Sequence, residues 1–131
     1  MEETSHHLGD LQLAIMRVLW AHGEATVAEV QEALEDERGL ALTTIATMLM
    51  KMEKKGVVDH RTDGRKFVYR PTVTEKQVRR SMVSDLTSQL FRGDVTALVN
   101  HLLSEHEIEP GELAQLRAMI AAREREQKED R

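Results

Sequence analysis

Thr43-Thr44-Ile45-Ala46-Thr47-Met48-Leu49-Met50-Lys51-Met52-Glu53-Lys54-Lys55-Gly56, running on into Val57-Val58-Asp59-His60-Arg61-Thr62-Asp63-Gly64-Arg65-Lys66-Phe67-Val68-Tyr69-Arg70-Pro71, is the stretch that decides the fold. Its apolar period changes part-way. Ile45, Met48, Leu49 and Met52 recur at steps of three and four, the spacing of one helix face. Gly56 stands where a left-handed C-terminal cap belongs. Past Gly56 the period falls to two. Residues 57–61 and 66–70 read as strands joined across Thr62-Asp63-Gly64-Arg65, whose Asp-Gly pair is a strong hairpin signal. Pro71 closes the second strand because it has no N–H to give a ladder.

Two helices precede this stretch. Leu8, Leu11, Ile15, Val18 and Leu19 line one face over residues 8–21, and Gly23 stops that helix. Thr26-x-x-Glu29 forms a capping box ahead of Val27, Val30 and Leu34, and Gly39 ends the second helix. Three helices followed by a hairpin is the order of a winged helix-turn-helix. On the C-terminal side, Thr74-x-x-Gln77 is a new capping box for a helix from Glu75 to about Phe91. Gly93 breaks it. Residues 94–104 form a short helix. Pro110 fits the first turn of a last one, where its missing N–H is not needed. The charged tail from Arg123 is expected to fray. The predicted class is mainly α with a small β-hairpin wing. Residues 1–73 form the winged-helix DNA-binding domain, and residues 74–131 a helical dimerisation region with a charged tail.

Composition narrows the function. The chain has 131 residues and no cysteine, which excludes disulfides, zinc–thiolate sites, iron–sulfur clusters and cysteine nucleophiles. A hydrophobic share of 40% is too high for a disordered chain. No apolar run approaches the ~18 residues of a membrane helix, and the acidic start lacks a signal-peptide core, so a cytoplasmic protein without membrane insertion is expected. Aromatics are scarce, which leaves little room for a drug-sized pocket. The net charge of −5 is unevenly spread. Residues 38–80 hold eleven basic against four acidic side chains, flanked by acidic segments on both sides. A basic block within an acidic protein marks a local polyanion-binding face.

With Ile45, Leu49 and Met52 turned inward, Thr44, Thr47 and Lys51 form an outward stripe at three- and four-residue spacing. Such a helix fits the major groove, where hydroxyl and ammonium groups reach base edges. Thr44, Thr47 and Lys51 are therefore the expected base readers. Thr43, Lys54, Lys55, Arg61, Arg65 and Lys66 are the expected backbone contacts, which position the protein and set its salt dependence. Met48 sits at the boundary and is expected in the core, as is Trp20.

The C-terminal helices are amphipathic and extend past a domain that closes on itself. Val78, Met82, Leu86, Leu90, Leu98, Leu102, Leu113, Leu116 and Ile120 are the expected homodimer interface, since a helix-turn-helix usually reads a two-fold site as a dimer. No catalytic group, metal site or cofactor is expected. Ser81, Ser84 and Ser88 have no recognisable base. His101 and Glu105 are too few to hold a metal. His6 and His7, near the terminus, are expected to be disordered.

Leu8-Gly9-Asp10-Leu11, Ile15-Met16-Arg17-Val18-Leu19-Trp20, Thr43 to Leu49, Lys54-Lys55-Gly56-Val57-Val58 and Asp63 to Pro71 together resemble the penicillinase and methicillinase repressors (the BlaI/MecI/CopY type). The resemblance covers residues 8 to about 103. It implies a dimeric winged-helix repressor on inverted-repeat promoter DNA, with Thr44, Thr47 and Lys51 toward the major groove. The family usually has arginine at the position of Lys51 and leucine at that of Met52. Losing the guanidinium fork implies different operator bases. The copper-responsive branch carries a cysteine cluster that this chain lacks. The β-lactam-responsive members are cut at an Asn-Phe bond by, or downstream of, a membrane sensor protease. The nearest asparagine here is Asn100, followed by His101 and not phenylalanine, so this chain departs from that cleavage pattern; a cut by a regulatory protease within residues 97–103 is kept as an expectation despite that departure. The rival readings are a winged-helix protein-interaction module and a MarR-like small-ligand-sensing regulator.

Overall fold

Gly9 and Gly23 bracket the first helix of the computed structural model, which describes residues 6–130. The element order is α1 (Asp10–His22), β1 (Ala25–Thr26), α2 (Val27–Arg38), α3 (Leu42–Lys55), β2 (Val58–Asp63), β3 (Lys66–Pro71), α4 (Glu75–Phe91), α5 (Val95–Glu105) and α6 (Pro110–Glu129). The capping boxes form as their sequences dictate. The Thr26 hydroxyl accepts from the Glu29 N–H while Glu29 accepts from the Thr26 N–H. Thr74 and Gln77 repeat the exchange at α4. Gly56 ends α3 at φ +83, ψ +16, the left-handed cap that glycine reaches without a Cβ clash.

Three strands form one antiparallel sheet in the order β1-β3-β2. The third strand, β1, has only two residues, Ala25 facing Tyr69 and Thr26 facing Val68, too few to leave an alternating pattern in sequence. The hairpin is tighter than the four-residue connection expected. Asp63 pairs with Lys66, so Gly64 and Arg65 are the two central residues, and Gly64 takes the positive φ, +63. Glycine first, followed by a residue at negative φ, is the pattern of a type II′ hairpin turn.

The chain forms two compact units, Met1–Leu86 and Thr87–Arg131. In the first, Leu8, Ile15, Met16, Leu19, Val30, Leu34, Ile45, Leu49, Met52, Val57, Val58 and Tyr69 close one core. Met48 and Trp20 pack against it partly buried, and the Trp20 indole N–H donates to the Val73 carbonyl at 2.9 Å. Val78, expected at the dimer interface, is instead 2% exposed inside this core, and Met82 packs against it. Its neighbours are the unit's own side chains, because the first turns of α4 extend the winged domain's core rather than a partner's. His6 and His7 are also ordered. The His6 N–H donates to Ser81 Oγ at 2.9 Å, and Lys55 Nζ donates to the His7 carbonyl at 3.2 Å.

In the second unit, neither α5 nor α6 buries a residue. The charged end does not fray at Arg123; α6 continues to Glu129. Ala, Arg, Glu, Gln and Lys are all strong helix formers, and Arg123 meets Glu126 at 3.5 Å one turn on.

Candidate nucleic-acid interface

α3 is presented by the elements around it. Its inner residues Ile45, Leu49 and Met52 are fully buried, which fixes the helix's rotation about its axis. Gln12 on α1 fixes its placement further: the amide N–H₂ donates to Met48 Sδ at 3.3 Å, and the amide oxygen accepts from Lys55 Nζ at 2.8 Å. Gln12 was not among the expected functional residues, since nothing in its local pattern distinguishes it from other polar residues on a helix. Also in the last turns of α3, Glu53 meets His60 Nδ1 at 2.5 Å, and the His60 ring stacks on Phe67 at 4.2 Å. α3 is thus joined to α1 on one side and to the wing on the other.

This rotation leaves Thr43, Thr44, Thr47, Lys51 and Lys54 exposed, and no side-chain hydrogen bond ties any of them to the described residues. The wing adds Arg65 and Lys66, also exposed and without an ion pair among the described residues. Three other basic residues of the block are engaged differently. Arg61 forks onto Glu24, with contacts of 2.8 and 3.3 Å. Arg70 forks onto Asp59, its cross-strand partner, at 2.6 and 3.2 Å. These forks pull the Glu24 and Asp59 carboxyls below their ordinary range, chiefly through the guanidinium hydrogen bonds. Both carboxylates are therefore charged at neutral pH and offset their arginines. Lys55 is held by His7 and Gln12. Of the expected backbone contacts, Thr43, Lys54, Arg65 and Lys66 have no side-chain hydrogen bond or ion pair among the described residues, whereas Lys55 and Arg61 already have protein partners.

Between α3 and the wing lies an open groove of about 430 Å³, lined by Leu42, Thr43 and Ala46 of α3, by Arg65, Lys66 and Phe67 of the wing, and by Thr26, Val27 and Ala28. It is larger than the scarcity of aromatics implied, because aliphatic side chains and one phenylalanine build its walls. Met50 is a second residue absent from the expected site. It is 59% exposed on the outer side of α3. The 3.6-residue period could have found it, since Met50 lies three residues from Thr47 and four from Lys54.

The penicillinase repressor family matches this chain over residues 8–122. The chain belongs to that family. The penicillinase repressor of Bacillus licheniformis is 26% identical over 122 residues, spanning 93% of this chain and 95% of that protein. The transcriptional regulator BlaI of Mycobacterium tuberculosis is 37% identical over 83 residues, 63% of this chain and 60% of that protein. The solution structure of the DNA binding domain of the repressor BlaI is 34% identical, with a TM-score of 0.50. It covers 59% of this chain and 93% of that domain. The family is one of transcriptional repressors, not enzymes, and its winged-helix fold is the fold observed here. No helix among the described residues is long and apolar enough to cross a membrane.

Proposed function

We propose that the protein is a homodimeric transcriptional repressor that holds an inverted-repeat DNA operator in the cytoplasm. α3 enters the major groove and the β2–β3 wing follows the adjacent backbone. One observation carries this reading. Thr44, Thr47 and Lys51 form an exposed stripe whose hydroxyl and ammonium groups have no partner among the described residues, on a helix fixed by its neighbours. Polar groups held ready and unsatisfied on a rigid element are what direct base readout needs. Thr44 and Thr47 offer hydroxyl and methyl contacts to base edges, and Lys51 donates to guanine. Thr43, Lys54, Arg65 and Lys66 meet phosphates. Lys55 and Arg61 add positive field from positions fixed within the protein, and Arg61 reaches a phosphate only by releasing Glu24.

Dimerisation through the second unit supplies the two-fold axis. Leu90, Leu98, Leu102, Leu113, Leu116 and Ile120 are its expected contact residues, with Leu86 at the end of the first unit, and in α5 and α6 Val99, Leu103 and Met119 join them as exposed apolar groups. Residues 99 to 123 frame an apolar groove of about 560 Å³, which a second copy would fill. A regulatory protease acting within residues 97–103 would have to open α5, since that segment is helical and Asn100 lies on its exposed side.

Binding of the full chain to genomic fragments, including its own upstream region, at two salt concentrations tests the proposal. Tight binding of two chains to one inverted repeat, falling steeply with salt, is the expected result. Weak binding that is blind to sequence would overturn it in favour of a protein-interaction module.

A further inference from the structure

We propose that Met50 reads thymine methyl groups in the major groove and thereby sets part of the operator sequence. The inference rests on the operator-binding reading of α3 and adds to it a determinant of base choice. Along α3, Leu42, Ala46 and Met50 succeed one another at four-residue intervals and form an apolar line beside the polar stripe. Leu42 and Ala46 line the groove beneath the wing, whereas Met50 lies beyond that lining. It is 59% exposed, and Thr43, Thr47 and Lys54 share its side of the helix. Met50 does not serve the core. Leu49, one residue away and about 100° round the helix, is fully buried.

A helix entering the major groove strips water from every side chain on its leading face. For Thr47, Lys51 and Lys54 the lost water is replaced by hydrogen bonds to bases or phosphates. Met50 has no donor, so it gains only where it covers an apolar group. Against a polar base edge it would leave base donors or acceptors without partners, which is unfavourable. The thymine C5-methyl is the apolar group that the major groove displays. An unbranched, polarisable methionine side chain adapts to a methyl without exact shape matching. The rise from Thr47 to Met50 is about 4.5 Å, so the thymine should lie within one or two base pairs of the pair contacted by Thr47.

The test uses the full chain and a half-site selected by the wild-type protein from a random duplex pool. Each thymine is replaced in turn by deoxyuridine, which removes only the methyl. One thymine per half-site is expected to weaken wild-type binding about three- to fivefold on losing its methyl. Met50→Ala should bind the thymine and deoxyuridine duplexes alike, and Met50→Leu should keep the discrimination. Circular dichroism and Tm of Met50→Ala should match wild type, because the side chain is exposed. Equal sensitivity of wild type and Met50→Ala to the missing methyl would overturn the assignment, as would a half-site in which no thymine methyl matters. Failure of the wild type to select any sequence would instead remove the operator reading itself, one step earlier.

Discussion

The two units spend the same residue types on different ends. In the first, leucine, isoleucine, valine and methionine at three- and four-residue spacing close on one another, and Ile15, Leu19, Ile45, Leu49 and Met52 lose all contact with water. In the second, Val95, Val99, Leu102, Leu103, Leu113, Leu116, Met119 and Ile120 follow the same spacing and remain exposed. Amphipathic periodicity therefore reveals that a helix has an apolar face and says nothing of what covers it. A wing and two crossing helices cover it in the first unit. In the second, we propose, another copy of the chain does.

Substitutions on the two kinds of face should differ in how they depend on concentration. Leu49→Ala empties a fully buried site between α3 and its neighbours, and is expected to cost about 2–5 kcal/mol of stability. Denaturant unfolding of the winged unit should show this loss at any protein concentration. Leu116→Glu places a charge on the exposed face of α6. It should leave the winged unit's unfolding unchanged, convert dimer to monomer in sedimentation, and weaken operator binding about tenfold or more through lost two-fold engagement. If Leu116→Glu remains a dimer with full operator affinity, the contrast drawn between the units is wrong.

Within the winged unit, smaller changes separate reading from positioning. Lys51→Ala is expected to cost about 1–3 kcal/mol on the selected operator and to relax preference at its base pair, with little effect on random DNA. Lys66→Ala should weaken both DNAs alike and lower the slope of log affinity against log salt by about one. Fluorescence titrations on operator and random duplexes over a salt series would distinguish the two. Parallel losses for both variants on both DNAs would show that Lys51 binds phosphate.

Much of this was legible in the sequence because its signals were local. The switch of period at Gly56, two capping boxes and Pro110 each act within a few residues, and each structural element they predict is present. The stripe Thr44, Thr47 and Lys51 followed from the inward turn of Ile45, Leu49 and Met52. What was not legible depends on residues far apart in the chain. β1 exists because Ala25 and Thr26 meet Tyr69 and Val68. Val78 belongs to the core of the first unit because Leu13, Arg17 and Trp20 of α1 lie beside it, although its own helix pattern is the same as that of a dimer seam. Arg61 is paired because Glu24, 37 positions earlier in the chain, lies beside it. Met50 is a different case: it falls outside the apolar face of Ile45, Met48, Leu49 and Met52, and it carries no polar group of the kind that marks a base reader.

The smallest expected effect also separates the units, this time through acid. Three carboxyls of the winged unit have their pKa lowered on folding: Glu24 by the Arg61 fork, Asp59 by the Arg70 fork, and Glu29 by the Thr26 N–H and hydroxyl of its capping box. A lowered folded-state pKa means that the unfolded chain binds the proton more readily. The stabilisation from each group is therefore complete above the ordinary carboxylate range and declines as pH falls through that range toward the folded values. All three are at the surface, so the decline should be shallow and reduced further by salt. Thermal unfolding of the winged unit from pH 7 to pH 3 should show a falling Tm below the ordinary carboxylate range. The triple variant Glu24→Gln, Glu29→Gln and Asp59→Asn should start lower and show a flatter decline. All three substitutions lie in the winged unit and are expected to leave the unfolding of the second unit unchanged. An equally steep decline in wild type and triple variant would place the acid sensitivity elsewhere, and the forks at Arg61 and Arg70 would then serve only to orient those side chains beside the wing.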